Sequence, residues 1–374
     1  MNNKRNSNHE LMRIISMFLI VFGHVLYFGG LLETDNTRMR YLYNLLEFVL
    51  IIHVDSYVLL TGYYQSKTKF KQKKLWSIIN SSWFYRTVIV IVFSYLGLIS
   101  VGKVEFIKNI LPVTLDNYWF IKCYILLYCL SPFLNKLIDS FDAKQFKRLI
   151  IVGFIINSII PTITGGEFFL NNGYTLYNFI YLYLLGAYIR KYPIDRSSFF
   201  NKFSKKKVFL IMITVFILCV LLNFLIYIIG GKIENINKGF ELISIYIKRG
   251  SLAYTNPLII IQAVAYFYIF TNISIKSKLI NKISRLMLGV YMIHCNDYVT
   301  AHIYKWFGIV DGNHNRMRFI INVFGTAIII FIVCSIIEYI RQIIFRFIYK
   351  RKLSCKIREK YYILCKKIII AFKL

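Results

Sequence analysis

The sequence predicts an all-α, polytopic integral membrane protein with about ten transmembrane helices and both termini in the cytoplasm. Three observations lead there. Of 374 residues, 57% are hydrophobic and only 17% are charged, whereas soluble domains carry about 25% charged residues. The apolar residues gather in repeated runs close to the roughly 20 residues that a helix needs to cross hydrocarbon. The runs are continuous rather than alternating, so helices, not a closed barrel, satisfy the backbone in lipid. Lys and Arg bring the formal net charge to +30. They concentrate in alternate loops, the pattern that orients a membrane protein and attracts anionic membrane lipid. That accounts for the charge without a nucleic-acid partner.

The spans fall at roughly 11–32, 41–63, 75–101, 118–138, 148–164, 174–190, 208–230, 252–272, 285–303 and 318–348. With the N-terminus inside, cytoplasmic segments hold 32 Lys and Arg against 11 in the outer loops. Residues 1–348 read as one transmembrane domain, and 349–374 as a basic amphipathic cytoplasmic tail on the lipid interface. The first run is too long for a signal-peptide core and lacks a small-residue cleavage site, so it is a retained anchor. The seven cysteines form no CxxC pair; neither a disulfide framework nor a metal site is expected. The wealth of Ile, Lys, Asn, Tyr and Phe points to an AT-rich genome and a bacterial cytoplasmic membrane.

The first span carries the chemistry. Arg13 and His24 stand eleven residues apart in LMRIISMFLIVFGHVLYF, about three turns, so both project from one face roughly 16 Å apart. Charged and titratable groups in hydrocarbon are costly and face a protein interior or a wet cavity. Arg13 is near enough to the interface to snorkel; His24 is too deep. The second span contains Glu47, His53 and Asp55. Counted from the cytoplasmic ends, His53 and Asp55 lie about 15–18 Å deep and His24 about 21 Å, so the three meet if these helices are neighbours. Asp55 has a structural alternative, a buried ion pair with Arg86 of the third span.

The loop KTKFKQKK follows at the cytoplasmic face, with Lys67 and Lys69 at its start. The fourth span opens on Tyr118 and Trp119, which fit an interfacial aromatic belt. Gly186 in the sixth permits close helix packing. The ninth, RLMLGVYMIHCNDYVTAH, holds His294 about nine residues in. His302 and His314 lie at or beyond the outer face. No histidines stand four apart, so zinc is not expected. In the tenth, Glu338 and Arg341 fit an i,i+3 pair.

Several of these stretches resemble the membrane acyltransferase family 3. Its first helix carries Arg, ten residues, then His, as Arg13 and His24 do. The segment RNSNHELMR is similar to that of its stand-alone bacterial polysaccharide O-acetyltransferases. LLTGYY, YWF…LY…SPFLN, LLGAYI and the G-x-Y-x-x-H of GVYMIH resemble family segments in the expected order. The family's RxxR-type motif is absent; lysines stand in the loop instead, without the bidentate fork of arginine. The resemblance implies transfer of an acyl group, most often acetyl, from a coenzyme A thioester. Acetyl-CoA is thus the expected donor substrate. The expected acceptor is a hydroxyl of a cell-surface or capsular polysaccharide or its lipid-linked saccharide precursor. In that chemistry His24 is the general base or an acylated nucleophile, and Asp55 orients it. Arg13, Lys67, Lys69 and Arg86 hold the donor, with His53, Trp119 and His294 as accessory residues and no metal. The alternative is a transporter or flippase for lipid-linked sugars, which also needs intramembrane charge. The five prolines show no symmetric placement of the kind such transporters use.

The charge bias makes a topology prediction. Reporter fusions at Lys71, Lys205 and the C-terminus should report cytoplasm, and fusions at Gly166 or Asn235 the outside. A C-terminus found outside would break the ten-span arrangement.

Overall fold

A computed structural model describes residues 5–110, 118–164, 171–193, 197, 200–236, 247, 250–309 and 317–350. Its helices are α1 (Ser7–Phe28), α2 (Thr37–Leu50), α3 (His53–Gln65), α4 (Gln72–Tyr95), α5 (Lys103–Ile110), α6 (Trp119–Ser140), α7 (Ala143–Phe154) and the short α8 (Ile160–Ile163). There follow α9 (Leu176–Lys191), α10 (Lys205–Ile236), α11 (Pro257–Asn272), α12 (Lys278–Ile283), α13 (Met287–His294), α14 (Asp297–Trp306) and α15 (Met317–Lys350). The chain is an all-helical, polytopic membrane protein. The tail beyond Lys350 and His314 lie outside the described residues.

Among the described residues, seven helical segments are long and apolar enough to cross a membrane. Each of the ten expected runs contains helix, and three depart from a full span for a physical reason. α9 and α11 have 16 residues each, about 24 Å at 1.5 Å per residue, short of a core near 30 Å. The ninth run is divided into α13 and α14. The second spans Thr37–Gln65 but breaks at Ile51 and Ile52, between α2 and α3.

Irregular backbone at membrane depth persists only where protein satisfies it, and both breaks are built that way. At the first, Gln262 of α11 donates to the Phe48 carbonyl at 2.9 Å. At the second, Asn296 caps α14 by accepting from the Tyr298 amide at 3.1 Å. Its amide donates to the Tyr118 hydroxyl, which in turn donates to the Met292 carbonyl at 2.7 Å.

The core has two halves. One is built on α3, α6, α9, α10 and α11, the other on α1, α4, α13, α14 and α15; α1 borders both, through Met12 on one side and Met17, Ile20 and Val21 on the other. Outward faces are apolar, with Leu218, Leu221 and Leu225 on α10 and Ile329, Ile332 and Ile336 on α15 exposed. Such surface suits lipid, not water. The start of α1 is tied to the end of α11. His9 bonds the Tyr64 hydroxyl at 2.7 Å and Thr271 at 3.1 Å, and the Asn8 side chain accepts from the Ile275 amide at 2.8 Å. Glu338, buried, binds Arg341 at 2.7 Å in the expected pair and also takes the Tyr85 hydroxyl.

Helices α3 and α9 approach each other closely. Two glycines make it possible: a Cβ on Gly62 would overlap the Tyr183 carbonyl, and one on Gly186 the Leu59 carbonyl. Backbone cannot give way as a side chain can. Gly186→Leu should therefore cost at least the roughly 1–3 kcal/mol of an overpacked core, read as a lower melting temperature of the purified protein. An unchanged melting temperature would mean that α3 and α9 are not held this closely.

Candidate active site

His24 is brought into contact with the end of α13, at Cys295, 271 residues further along the chain. Its Nδ1 lies 3.5 Å from the Cys295 sulfur, and that sulfur lies 3.3 Å from Nε2 of His294. The two imidazole centroids are 5.2 Å apart. His294 Nδ1 is 2.6 Å from the Val290 carbonyl. A carbonyl only accepts, so Nδ1 carries the hydrogen and Nε2 of the neutral ring is the acceptor. The Cys295 thiol can then donate to His294 while its sulfur accepts from His24 Nδ1–H. That chain leaves His24 Nε2 with a free lone pair, the state a proton acceptor requires. The donor atoms of His24, His294 and Cys295 all lie within 4.8 Å of one another, close enough to share a metal ion.

A cavity of about 670 Å³ is lined by residues of α1 and α13 that stop one turn short of this trio, and its volume is within the size range of small-molecule sites. On α1 it is lined by Arg13, Met17 and Ile20. These continue at helical spacing to His24, one turn beyond Ile20. On α13 it is lined by Met287, Leu288 and Tyr291, with Cys295 one turn further on. Its cationic part is formed by Arg5, Arg13, Lys71, Lys73 and Lys74. Arg13 is 30% exposed and paired with Glu10 at 2.9 Å; Glu10 also draws in Arg5 at 3.5 Å. The Tyr57 hydroxyl donates to the Arg13 carbonyl at 2.6 Å and lines the same cavity.

The other residues singled out by sequence are distributed as follows. Asp55 is fully buried, and neither carboxylate oxygen has a hydrogen-bond partner among the described residues, so it touches neither His24 nor Arg86. Lys67 is exposed, 3.7 Å from Asp139, and Lys69 is also exposed; neither lines the cavity, whose lysines come from the start of α4 and the residue before it. Arg86 is buried away from it and donates to Asn109 of α5 at 3.3 Å. His53 comes close: its Nε2 and Glu47 Oε2 both lie against Gly23, 3.6 and 3.5 Å from where a Cβ would stand. Trp119 packs on Tyr174 with ring centroids 4.5 Å apart. Sequence reasoning left Cys295 unassigned. Its one signal was its place directly after His294 of the G-x-Y-x-x-H segment, at a helix break.

A family model described as an acyltransferase domain matches residues 6–339. No curated protein and no solved structure matches the chain.

Proposed function

The chain belongs to the acyltransferase 3 family, and on that premise we propose that it moves an acetyl group from acetyl-CoA to a hydroxyl of a cell-surface or capsular polysaccharide, or of its lipid-linked precursor. It does so in a bacterial cytoplasmic membrane, with the Lys-rich end of the bundle and both termini facing the cytoplasm, where coenzyme A resides. Family membership favours the enzyme over a transporter.

The observation that carries this reading is the cavity from Arg13 to the turn before His24. Five cations among its lining residues suit the phosphates of coenzyme A through charge-assisted bonds. The apolar stretch of Met17, Ile20, Ile121 and Leu288 suits the pantetheine arm and brings the thioester to the histidine. His24 Nε2 takes the acceptor hydroxyl proton as the oxygen attacks the thioester carbonyl. The C–O bond forms, the C–S bond breaks, and the proton passes to the leaving thiolate. Cys295 and His294 position the imidazole, the task the sequence reading gave to Asp55. No metal is needed for this sequence of events; a chelator is expected to leave activity unchanged.

His24→Ala should lower transfer by roughly 100- to 10,000-fold while acetyl-CoA binding by the purified protein persists. Arg13→Ala, about three turns nearer the cytoplasm, should instead weaken acetyl-CoA binding. Arg13→Lys should recover part of it if the contact is a simple charge. Cys295→Ala should slow transfer about tenfold, the worth of one hydrogen bond to the catalytic group, without changing donor affinity. The measurements are polysaccharide O-acetyl content in complemented cells and acetyl-CoA affinity of each variant. Full O-acetylation with His24→Ala would remove His24 from the chemistry.

A further inference from the structure

We propose that a second site, beyond His24 from the donor cavity, binds the acceptor as a sugar ring against an aromatic wall of Trp119, Tyr174 and Tyr254; the inference rests on the acyl-transfer reading above. The three residues stand at or just before the starts of α6, α9 and α11. The ends of α3 and α11 are tied to the start of α1 at one end of the bundle, through Tyr64, Thr271 and His9. Arg190, in the last turn of α9, lies over the Tyr63 ring at that same end. The starts of α9 and α11 therefore lie at the opposite end. Trp119 and Tyr174 are 4.5 Å apart, Tyr174 and Tyr254 5.1 Å, and Trp119 and Tyr254 6.1 Å with planes only 27° apart. Tyr174 is 44% exposed and Tyr254 buried, so the wall runs from the surface inward. Phe120, next to Trp119, lines the donor cavity. One helix start thus divides the two sites.

The wall leads to polar groups that the protein leaves without partners. Tyr254 meets His53 edge-on at 5.9 Å. His53 is 4% exposed, and its Nδ1 has no hydrogen-bond partner among the described residues; the same holds for Glu47 Oε2 and for the hydroxyl of buried Thr255. Each such group left dry costs about 1–3 kcal/mol. His53 Nε2 and Glu47 Oε2 face Gly23, beside the catalytic His24. The break between α2 and α3 carries Glu47 on one side and His53 on the other.

This combination fits one class of ligand. A pyranose offers a C–H face that packs on aromatic rings and a rim of hydroxyls that both donate and accept. A carboxylate and an imidazole nitrogen are suitable partners for two of them. A third hydroxyl, held beside Gly23, lies within reach of His24. Glu47 and Tyr174 thereby become specificity-determining residues for the acceptor.

The test uses full-length protein in nanodiscs, acetyl-labelled acetyl-CoA, and oligosaccharides from the host's own surface polysaccharide after chemical de-O-acetylation. Tyr174→Ala and Glu47→Gln should each raise the KM for oligosaccharide about tenfold, a factor worth 1.4 kcal/mol. The KM for acetyl-CoA should not change, and Tyr174→Phe, which keeps the ring face, should restore the acceptor KM. Oligosaccharide should also shift the tryptophan fluorescence of the inactive His24→Ala protein, and Trp119→Phe should abolish the shift. Transfer by the wild type with unchanged acceptor KM in both variants would overturn this site and leave the enzyme reading standing. No transfer by the wild type to these oligosaccharides would overturn the polysaccharide-acceptor reading and this site with it.

Discussion

A polar group at membrane depth has no water to fall back on, and the fold is arranged around that constraint. Where α13 gives way to α14, the side chains of Asn296 and Tyr118 bond to neighbouring backbone and to each other. Where α2 gives way to α3, Gln262 reaches in to the Phe48 carbonyl. His294 spends one nitrogen on Val290 and the other on Cys295. Against this background the unpartnered atoms of Glu47, His53 and Asp55 stand out. Leaving them dry is a stability cost that a bound substrate can offset for Glu47 and His53, whose side chains reach Gly23 through Oε2 and Nε2.

Under the proposed acyl transfer, the two breaks let one histidine serve two substrates. A continuous helix presents a fixed stripe, with neighbours along it 5–6 Å apart. Ending α13 at His294 turns the chain so that Cys295 can meet His24 from the side. Ending α2 before Ile51 brings Glu47 and His53 to the same point on α1. The unbroken α1 joins the two: its stripe of Arg13, Met17 and Ile20 lines the cationic cavity, and Gly23 and His24 lie just beyond. The glycine contact of α3 with α9 then fixes the helix that begins with His53.

The membrane-spanning helical class was legible from run length alone, and the Arg13–His24 stripe from helical spacing, because both are local properties. Gly186 was legible for the same reason: a small residue in an apolar run has few other uses. The expected contact of Asp55 with His24 is not made, because depth along a helix does not fix azimuth. Asp55 lies two residues from His53, so on a helix it points about 200° away, where neither of its carboxylate oxygens finds a hydrogen-bond partner among the described residues. Cys295 was invisible as a partner of His24 because nothing local ties residue 24 to residue 295. The choice of Lys67 and Lys69 over Lys71, Lys73 and Lys74 turned on where α4 begins, and boundaries are the weakest part of any sequence reading.

The central claim is that the donor cavity delivers the thioester carbonyl to His24 and Cys295. Bromoacetyl-CoA tests it directly, because its electrophilic carbon occupies the place of the acetyl methyl group and alkylates whichever nucleophile lies beside it. Peptide mapping by mass spectrometry after a short exposure reads the position. The account predicts a modification on Cys295 or His24 that excess coenzyme A suppresses. Modification confined to other cysteines, such as exposed Cys129, and unaffected by coenzyme A would contradict it.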